Sequence, residues 1–480
     1  MKRILSLSIL ALFLSGARSP AQQGLPPGYE RLLRPAGAVM FHVPVGLCED
    51  YPEESTTIEG IRGDMASLKR SGVSVLRVAF GWDGIEIGKG NFRWGFWDDF
   101  VRIAVRENGI TLIPYVCYTP VWNSTGDTSN YWNHTPKDYD EFGVFVEALV
   151  TRYRGSIKTW ELWNEPDIRE FWSGNAADLA RLTKIGVQAV RKADPGAKIV
   201  LAGLAGHTDF TLSLFRDYGI SPYVDVVNCH SYYETWSGEP LEAVVPYVNT
   251  LSEIIARYGR GQSLWMAEVG YSTLRGPDGR VSDSYHATYA YEHTPAYQAV
   301  ALWRTLTLLL STGKMAAIAW YRINDLTPGE NVIGDHNNWY LGVDSLAHRP
   351  KPAEYALAFF NRFFAGANRP LDAETRVTRT IGSESEVHAF RMQDSSIALV
   401  AWLRTHIRGK AVPEGAGNLA DVRREEISIT LPMEKCTAMT AYDELGNASA
   451  YTAFTSSPGG LTLDRLPLTG GTITILRITP

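Results

Sequence analysis

Two short motifs hold the side chains best suited to chemistry. Residues 160–167 read WELWNEPD and residues 264–271 read LWMAEVGY, so Glu165 and Glu268 each lie in apolar, tryptophan-rich surroundings. Burial without a compensating partner raises the pKa of a carboxyl group, whereas an opposite charge keeps a carboxyl group ionised. Two carboxyl groups in different protonation states can serve one bond as a general acid and a nucleophile, which is the pairing that glycoside hydrolysis requires.

A repeated pattern in the chain predicts the scaffold that would bring these residues together. From about residue 36, a short apolar run, a loop and a segment of helical period recur. Runs that are apolar on both faces are typical of parallel strands covered by helices. The predicted strands are 38–43, 73–80, 111–117, 157–163, 198–204, 224–231, 263–268 and 316–320, and the predicted helices are 61–70, 97–108, 138–153, 177–192, 241–258 and 294–311.

Eight such units favour an α/β fold of the (β/α)8 TIM barrel type, although a doubly wound open sheet could use the same alternation. Active sites of these barrels lie where the strands end and lead into the helices. Glu165 follows the fourth predicted strand, and Glu268 ends the seventh, 103 residues later. The two carboxyl groups are therefore predicted to meet at one end of the barrel.

The pattern changes after a predicted helix at 352–364. Short alternating runs at 387–392, 397–403, 427–431 and 472–478 are separated by turns rich in Gly, Pro and Ser. This pattern is typical of a β-sandwich. We therefore predict a catalytic barrel over residues 22–366, followed by a smaller C-terminal all-β (β-sandwich) domain over residues 367–480.

The first 21 residues have the pattern of a cleavable secretory signal peptide. Lys2 and Arg3 precede an apolar run over residues 4–14, and residues 19–21 (SPA) supply small residues before the predicted cleavage. Eleven apolar residues are too few to span a hydrocarbon core of about 30 Å, so a membrane anchor is disfavoured. The mature protein is expected to be secreted or periplasmic.

Composition and motif content exclude several function classes. The chain has 480 residues, of which 45% are hydrophobic, and its 46 Lys and Arg against 52 Asp and Glu give a net charge of −6 with no basic block, which makes nucleic acid an unexpected partner. No metal-binding spacing, Gly-x-Ser-x-Gly elbow or Gly-x-Gly-x-x-Gly fingerprint occurs where it would be needed, so we expect no metal and no cofactor. The Cys spacings match no metal site, and Cys117 and Cys229 are interpreted as buried thiols rather than a disulfide.

The two glutamate motifs resemble those of clan A of the glycoside hydrolases, in which an Asn-Glu-Pro follows the fourth strand and a second Glu ends the seventh. The longer phrases 160–167 (WELWNEPD), 228–232 (NCHSY), 342–344 (GVD) and 349–352 (RPKP) resemble family 39 and its near relatives. That family includes β-xylosidases, α-L-iduronidases and bacterial endoglycosidases acting on exopolysaccharides. The resemblance covers residues 36–366. It implies cofactor-independent hydrolysis with retention, with Glu165 as acid/base and Glu268 as nucleophile.

The resemblance also implies roles for five further residues. Arg77 matches the arginine that keeps the nucleophile ionised, although a structural ion pair is the alternative. Asn164 matches the residue that binds the sugar 2-hydroxyl, and Trp320 matches the aromatic floor of the cleavage subsite. His230 and Tyr232 lie two apart on the sixth strand and therefore point to one side. Tyr232 would orient Glu268, whereas His230 is equally compatible with a substrate contact and with a buried structural histidine.

Substrate and mode of action stay open at the level of sequence. Aromatic residues in or near loops could stack on sugars or simply pack; these are Trp82, Trp122, Trp132, Trp172, Trp236 and Trp339. They favour an endo-acting enzyme on a β-linked polysaccharide or oligosaccharide, with an exo-acting β-xylosidase-like enzyme as the alternative. A non-catalytic carbohydrate-binding protein and a transglycosylase are further alternatives. The sequence does not indicate the sugar, the linkage or the oligomeric state.

Overall fold

The computed structural model describes residues 29–35, 37–274, 291–327, 336–405, 421 and 423–480. Its larger part is a closed barrel of eight parallel strands, in which each strand pairs with its neighbours in the sequence and the last pairs with the first. The predicted (β/α)8 barrel is therefore confirmed. The predicted signal peptide, residues 1–21, lies outside the described residues.

The barrel strands are five to seven residues long and almost entirely buried. Because successive side chains on a strand point to opposite faces, every second residue fills the barrel interior and the others pack under the helices. The strands are β1 Val45–Glu49, β2 Val75–Gly81, β3 Thr111–Cys117, β4 Thr159–Asn164, β5 Lys198–Gly203, β6 Val226–Ser231, β7 Ser263–Val269 and β8 Met315–Tyr321.

Helices connect and cover these strands. They are α1 Ile58–Arg70, α2 Gly95–Val101 with a π-helical continuation over Arg102–Glu107, α3 Tyr139–Tyr153, α4 Ala176–Ala193, α5 Thr208–Arg216, α6 Val244–Tyr258, α7 Pro295–Ser311 and α8 Pro352–Phe363. Capping residues mark the start of several of these helices. At the start of α4, Asn175 and Asp178 form a reciprocal capping box. The sequence-based prediction omitted α5, because nine residues give little more than two turns of helical period.

The first predicted strand is in the wrong place. Residues 38–43 contribute an antiparallel bridge from Phe41 to Asn368, whereas the first barrel strand is β1, Val45–Glu49. Both stretches are apolar, so composition alone does not separate them. Pairing decides the matter: β1 is in register with β8 through Val45 and Ile318, and with β2 through Cys48 and Arg77.

Two antiparallel sheets follow α8, beginning at Asn368. One sheet has six strands, in the order Asn368–Pro370, Ser385–Met392, Ile397–Leu403, Ile473–Thr479, Ala438–Tyr442 and Ala448–Ala450; the other has four, in the order Arg376–Thr378, Arg424–Leu431, Gly460–Thr469 and Thr455–Ser457. Buried side chains of both sheets, Leu399 and Leu463 among them, belong to one apolar cluster. The sheets therefore enclose a core of their own, as the predicted β-sandwich requires.

The β-sandwich also packs against the barrel through aromatic side chains. Trp303 of α7 lies against Phe360 of α8, at 4.8 Å between ring centroids, and Phe364 meets Phe390 of the six-stranded sheet at 5.3 Å. Beside this contact, the buried Arg304 donates a 2.8 Å hydrogen bond to Glu242, which also accepts from Trp402 of the sheet. Barrel and sandwich are therefore joined by packed aromatic rings and by the hydrogen bond from Trp402 to Glu242, the buried partner of Arg304.

The four cysteines are free thiols, of which Cys48, Cys117 and Cys229 are buried. Within the described part of the chain, helices long and apolar enough to cross a membrane do not occur.

Candidate active site

Glu165 lies just beyond the end of β4, where the backbone turns sharply. Trp163 and Glu165 have φ angles of 86° and 42°, in the region that non-glycine residues seldom occupy. The turn is secured by the backbone N–H of Glu165, which donates to the carbonyl oxygen of Gly203 on β5 at 2.8 Å. Glu165 is thereby held at the mouth of the barrel with 7% of its surface exposed.

Glu268 lies near the end of β7, opposite an irregularity in the pairing with β6. Cys229 pairs with Met266 and His230 pairs with Glu268, so Ala267 is an extra residue on β7. Such a bulge bends the strand and re-aims the side chains that follow it. Glu268 therefore faces the site together with His230, its partner on β6.

The structure brings the two predicted catalytic carboxyl groups together around His230. The Nδ1 atom of His230 is 2.8 Å from Oε1 of Glu165 and 3.6 Å from Oε2 of Glu268. One oxygen of each glutamate and a ring nitrogen of His230 all lie within 4.8 Å of one another. A glycosidic bond placed here would have a carboxyl group on either side.

Arg77 supplies a buried positive charge next to Glu268. Its guanidinium is buried and donates to Glu268 Oε2 at 2.8 Å, to Asn164 Oδ1 at 2.7 Å, and to both carboxylate oxygens of Glu161 at 2.8 and 2.9 Å. The ring of Tyr115 lies 4.1 Å from the guanidinium carbon. Arg77 therefore lies where the resemblance implied and also forms the structural ion pair that was the alternative.

A layer beneath the catalytic pair orients Arg77, and sequence reasoning assigned it no function. Glu161 accepts from Arg77, from the backbone N–H of Gly203 at 2.8 Å and from Asn228 Nδ2 at 3.0 Å. Asn228 Oδ1 in turn accepts from the N–H of Ala267, the bulged residue next to Glu268. Period two on β4 and β6 places Glu161 and Asn228 on the inward face, and this was the available signal.

Burial and charge give Glu165 the character of an acid. Burial, followed by the negative charge of Asp167, raises the pKa of Glu165 to about 8, against a smaller lowering by Arg77. Burial lowers the pKa of His230 to about 4, so its ring is neutral at pH 7. Its Nε2 atom is buried and has no hydrogen-bond partner within the described structure. The ring proton therefore belongs on Nδ1, where it is donated to Glu165 Oε1 and leaves the carboxyl proton on Oε2.

Glu268 is surrounded by groups that favour its ionised form. Burial, together with the neighbouring Glu165, raises the pKa of Glu268 above its usual range, whereas the charge of Arg77 and a hydrogen bond from Tyr232 lower that pKa. The Tyr232 hydroxyl donates to Glu268 Oε1, which is the contact that the orienting role implied by the resemblance requires. Burial raises the pKa of Tyr232 well above its usual value, so the hydroxyl stays a donor.

Trp320 does not lie where the resemblance placed it. Its side chain is fully buried in the main apolar core, which leaves it no surface to offer a sugar. The next residue of β8, Tyr321, faces the site instead: its ring lies 6.3 Å from that of Tyr232, and its hydroxyl donates to Asp50 at 3.2 Å. A one-residue difference in register moves a strand side chain to the other face, which explains the correction.

The loop tryptophans divide into two groups. Trp82 and Trp172 are fully buried and belong to the core. The others, Trp122, Trp132, Trp236 and Trp339, keep part of their surface exposed.

The same three side chains also form a possible cation site. Glu165, His230 and Glu268 are the group of potential ligands that lies close enough to share an ion within the described residues. The Arg77 guanidinium already donates to Glu268, and its positive charge opposes a second cation there. The donor set therefore suits proton transfer better than metal binding.

Comparison with known proteins places this geometry in context. Protein-family models give no match to the chain. A family 39 glycoside hydrolase from Bacteroides cellulosilyticus WH2 aligns with 91% of this chain and 81% of its own, with a TM-score of 0.64 and 16% identity. A monomeric β-xylosidase from Caulobacter crescentus CB15 aligns with 92% of this chain and 96% of its own, with a TM-score of 0.60 and 19% identity.

A family 30 subfamily 8 xylanase from Clostridium acetobutylicum is similar over 93% of this chain and 98% of its own, with a TM-score of 0.60 and 14% identity. The chain shares the fold of these glycoside hydrolases. The resemblance to family 39 is thereby confirmed at the level of the fold.

Proposed function

We propose that the protein is a retaining glycoside hydrolase. The observation that carries this proposal is the position of Glu165 and Glu268, whose nearest carboxylate oxygens lie within 4.8 Å of each other. Retaining glycosidases hold their two carboxyl groups about 5 to 5.5 Å apart, whereas inverting enzymes leave about 6.5 to 9.5 Å for a water molecule. The separation is too small for an intervening nucleophilic water, which favours direct attack by a carboxylate.

In the first step, a Glu268 oxygen attacks the anomeric carbon while the proton on Glu165 Oε2 passes to the departing glycosidic oxygen. The bond to the leaving group breaks as the glycosyl ester of Glu268 forms. Arg77 and Tyr232 stabilise the attacking carboxylate before this step, and His230 holds Glu165 through its other oxygen. Asn164, fixed by Arg77, is placed to bind the sugar hydroxyl next to the anomeric carbon.

In the second step, Glu165 is ionised and acts as a base. It removes a proton from a water molecule, whose oxygen attacks the anomeric carbon and releases Glu268 as a carboxylate. Two inversions at one carbon give net retention. A sugar hydroxyl in place of water would give transglycosylation by the same residues, and mass spectrometry of the products separates these outcomes.

A polysaccharide or oligosaccharide with β-linkages is the substrate class that we propose, with endo-acting cleavage. Three partly exposed aromatic residues support it: Trp132 lies 5.3 Å from Tyr118 and 5.9 Å from Phe171, between ring centroids, in the loops after β3 and β4. Such rings can stack on successive sugars. An exo-acting β-xylosidase-like activity is the second candidate, favoured by the similarity to the Caulobacter β-xylosidase. Activity on intact xylan against aryl β-xylosides distinguishes them.

Export of the protein belongs to the same proposal, since a polysaccharide would be met outside the cytoplasm. The support is the sequence pattern of residues 1–21. N-terminal sequencing of protein from its native host tests it: a mature chain starting after Ala21 is expected, and an uncleaved chain would contradict it.

Replacement of the nucleophile tests the mechanism. Glu268→Gly is expected to lower kcat by about 10⁴-fold or more, because the covalent intermediate cannot form. Azide should enter the vacated space, restore part of the cleavage and yield a glycosyl azide of inverted anomeric configuration. The exposed Glu170, in the loop after Glu165, provides the matched control Glu170→Gly, which should keep its activity. Full activity of Glu268→Gly would contradict the mechanism, and glycan binding without turnover by the native protein would favour a carbohydrate-binding protein.

A further inference from the structure

Asp50, directly after β1, is an acidic residue of the site that the proposed mechanism does not use. On β1, Cys48 points into the barrel, where its Sγ lies 3.1 Å from the carbonyl oxygen of Ala267. Cys48 is also in register with Arg77 on β2. Because side chains alternate along a strand, Asp50 faces the same interior one layer higher, towards the open end. It keeps part of its surface exposed there.

Two tyrosine hydroxyls hold the Asp50 carboxylate, one from each side of β1 in the barrel. Tyr115 of β3 donates to Oδ1 at 2.5 Å, and Tyr321 of β8 donates to Oδ2 at 3.2 Å. Tyr115 lies under the Arg77 guanidinium, and Tyr321 lies against Tyr232, which donates to the nucleophile. Asp50 is therefore fixed next to the groups that surround Glu268.

The neighbouring Glu49, at the same strand end, is a carboxylate with a structural role. It is buried, forms an ion pair with Arg322 and accepts from the backbone N–H of Asn324 at 3.0 Å. The Asp50 side chain, by contrast, has two neutral hydroxyls as its hydrogen-bond partners in the described structure. An ionised carboxylate has about four acceptor positions, so about two of them stay available to a ligand in the site.

We propose that Asp50 binds hydroxyl groups of the sugar ring attacked by Glu268, and that it makes the site selective for neutral sugars over uronic acids. This inference rests on the proposed glycosidase function and adds a substrate class to it. A hydrogen bond from a sugar hydroxyl to a carboxylate is charge-assisted and about twice as strong as one between neutral groups. A uronate would instead bring a second negative charge towards Asp50, which is unfavourable in a partly buried site.

The test compares kcat/KM on matched neutral and acidic substrates with β-linkages: 4-nitrophenyl β-D-glucoside, β-D-xyloside and β-D-glucuronide, together with xylan, β-1,4-mannan and β-1,4-polymannuronate. The native enzyme should prefer the neutral members. Asp50→Asn should lower kcat/KM on the best neutral substrate about 10- to 100-fold, because a charge-assisted hydrogen bond is lost. It should also lower the ratio of kcat/KM on that neutral substrate to kcat/KM on the matched acidic substrate. If the asparagine variant does not fold, the same ratio of kcat/KM values is measured with Asp50→Ser.

Glu86→Gln is the control, because it changes a buried carboxylate that accepts from Trp82 and from the backbone N–H of Gly90 instead of from the groups that hold Asp50. It should lower the unfolding temperature and leave the preference for neutral substrates unchanged. A native enzyme that prefers uronic acid substrates, or Asp50 variants with unchanged preference and kcat/KM, would overturn the role of Asp50 and leave the glycosidase function standing. A native protein that cleaves none of the substrates would overturn both.

Discussion

The two glutamates proposed as catalytic, Glu165 and Glu268, differ in their neighbouring groups. Glu268 accepts from Arg77 and from Tyr232, both of which favour a carboxylate. Glu165 accepts from the neutral His230, and burial, followed by the negative charge of Asp167, raises its pKa to about 8. One carboxyl group can therefore attack while the other donates a proton at neutral pH. Activity should fall above about pH 8, as Glu165 loses its proton, and should also fall at acidic pH, as Glu268 becomes protonated.

Asp167 gives a direct test of this assignment. Its negative charge is the second largest cause of the raised pKa of Glu165, so Asp167→Asn should lower that pKa. The alkaline limb of the kcat/KM profile should move to lower pH by a fraction of a unit. Glu170→Gln, which removes a charge with a smaller effect on the pKa of Glu165, should move the limb less. If the alkaline limb of Asp167→Asn lay at the same pH as that of the native enzyme, the limb would not report the ionisation of Glu165.

At the scale of strands and loops, the site depends on close approaches between neighbouring strand ends. Gly203 ends β5, pairs with Asn164, and donates its N–H to Glu161. A Cβ atom at Gly203 would lie 2.0 Å from Nε2 of His230 and 2.8 Å from Nδ2 of Asn228. Only glycine leaves room there for the histidine that holds Glu165.

Gly203→Ala should therefore displace His230 and lower kcat about 100-fold, the loss expected from a misplacement of about 1 Å. The matched control is Gly155→Ala, where an added Cβ meets nothing within 4 Å. Steady-state kinetics of both variants, with thermal unfolding to verify the fold, make the comparison. Wild-type kcat in Gly203→Ala would show that the position of His230 does not matter.

Position at strand ends was enough to predict that Glu165 and Glu268 would meet, because a barrel brings all its strand ends to one mouth. Period two predicted that His230 and Tyr232 would point to one side, and the resemblance implied that Tyr232 would orient Glu268. The register of β8 was harder to predict. Trp320 and Tyr321 are adjacent aromatic residues on this strand, and only the pairing of the strand decides which of them faces the site. The same reason accounts for the misplaced first strand. Asp50 was not predicted because its partners come from β3 and β8, which are far apart in the sequence.

At the scale of the whole molecule, the β-sandwich supports the side of the barrel that carries the loops after β6 and β7. The buried Arg304 of α7 binds Glu242 and lies 3.9 Å from Glu234, which is two residues after Tyr232. Trp402 of the sandwich donates to the same Glu242. A continuous set of buried polar contacts therefore runs from the sandwich to the loop after β6.

Arg304→Met should destabilise the protein by about 3 to 5 kcal/mol, because it leaves the buried carboxylate of Glu242 without its charged partner. Lys192→Met, which removes a surface ion pair with Glu147, is the control and should cost less than about 1 kcal/mol. Chemical denaturation followed by tryptophan fluorescence measures both. Equal stability of the two variants would show that the buried Arg304–Glu242 ion pair does not contribute to the free energy of unfolding.

The stereochemistry of the first-formed product tests the central claim most directly. Proton NMR can follow the anomeric signal during cleavage of the β-glycoside on which the enzyme acts fastest, before mutarotation mixes the anomers. The arrangement of Glu165 and Glu268 predicts that the β-anomer appears first. Initial release of the α-anomer would require water to attack directly, and it would contradict the assignment of Glu268 as a nucleophile.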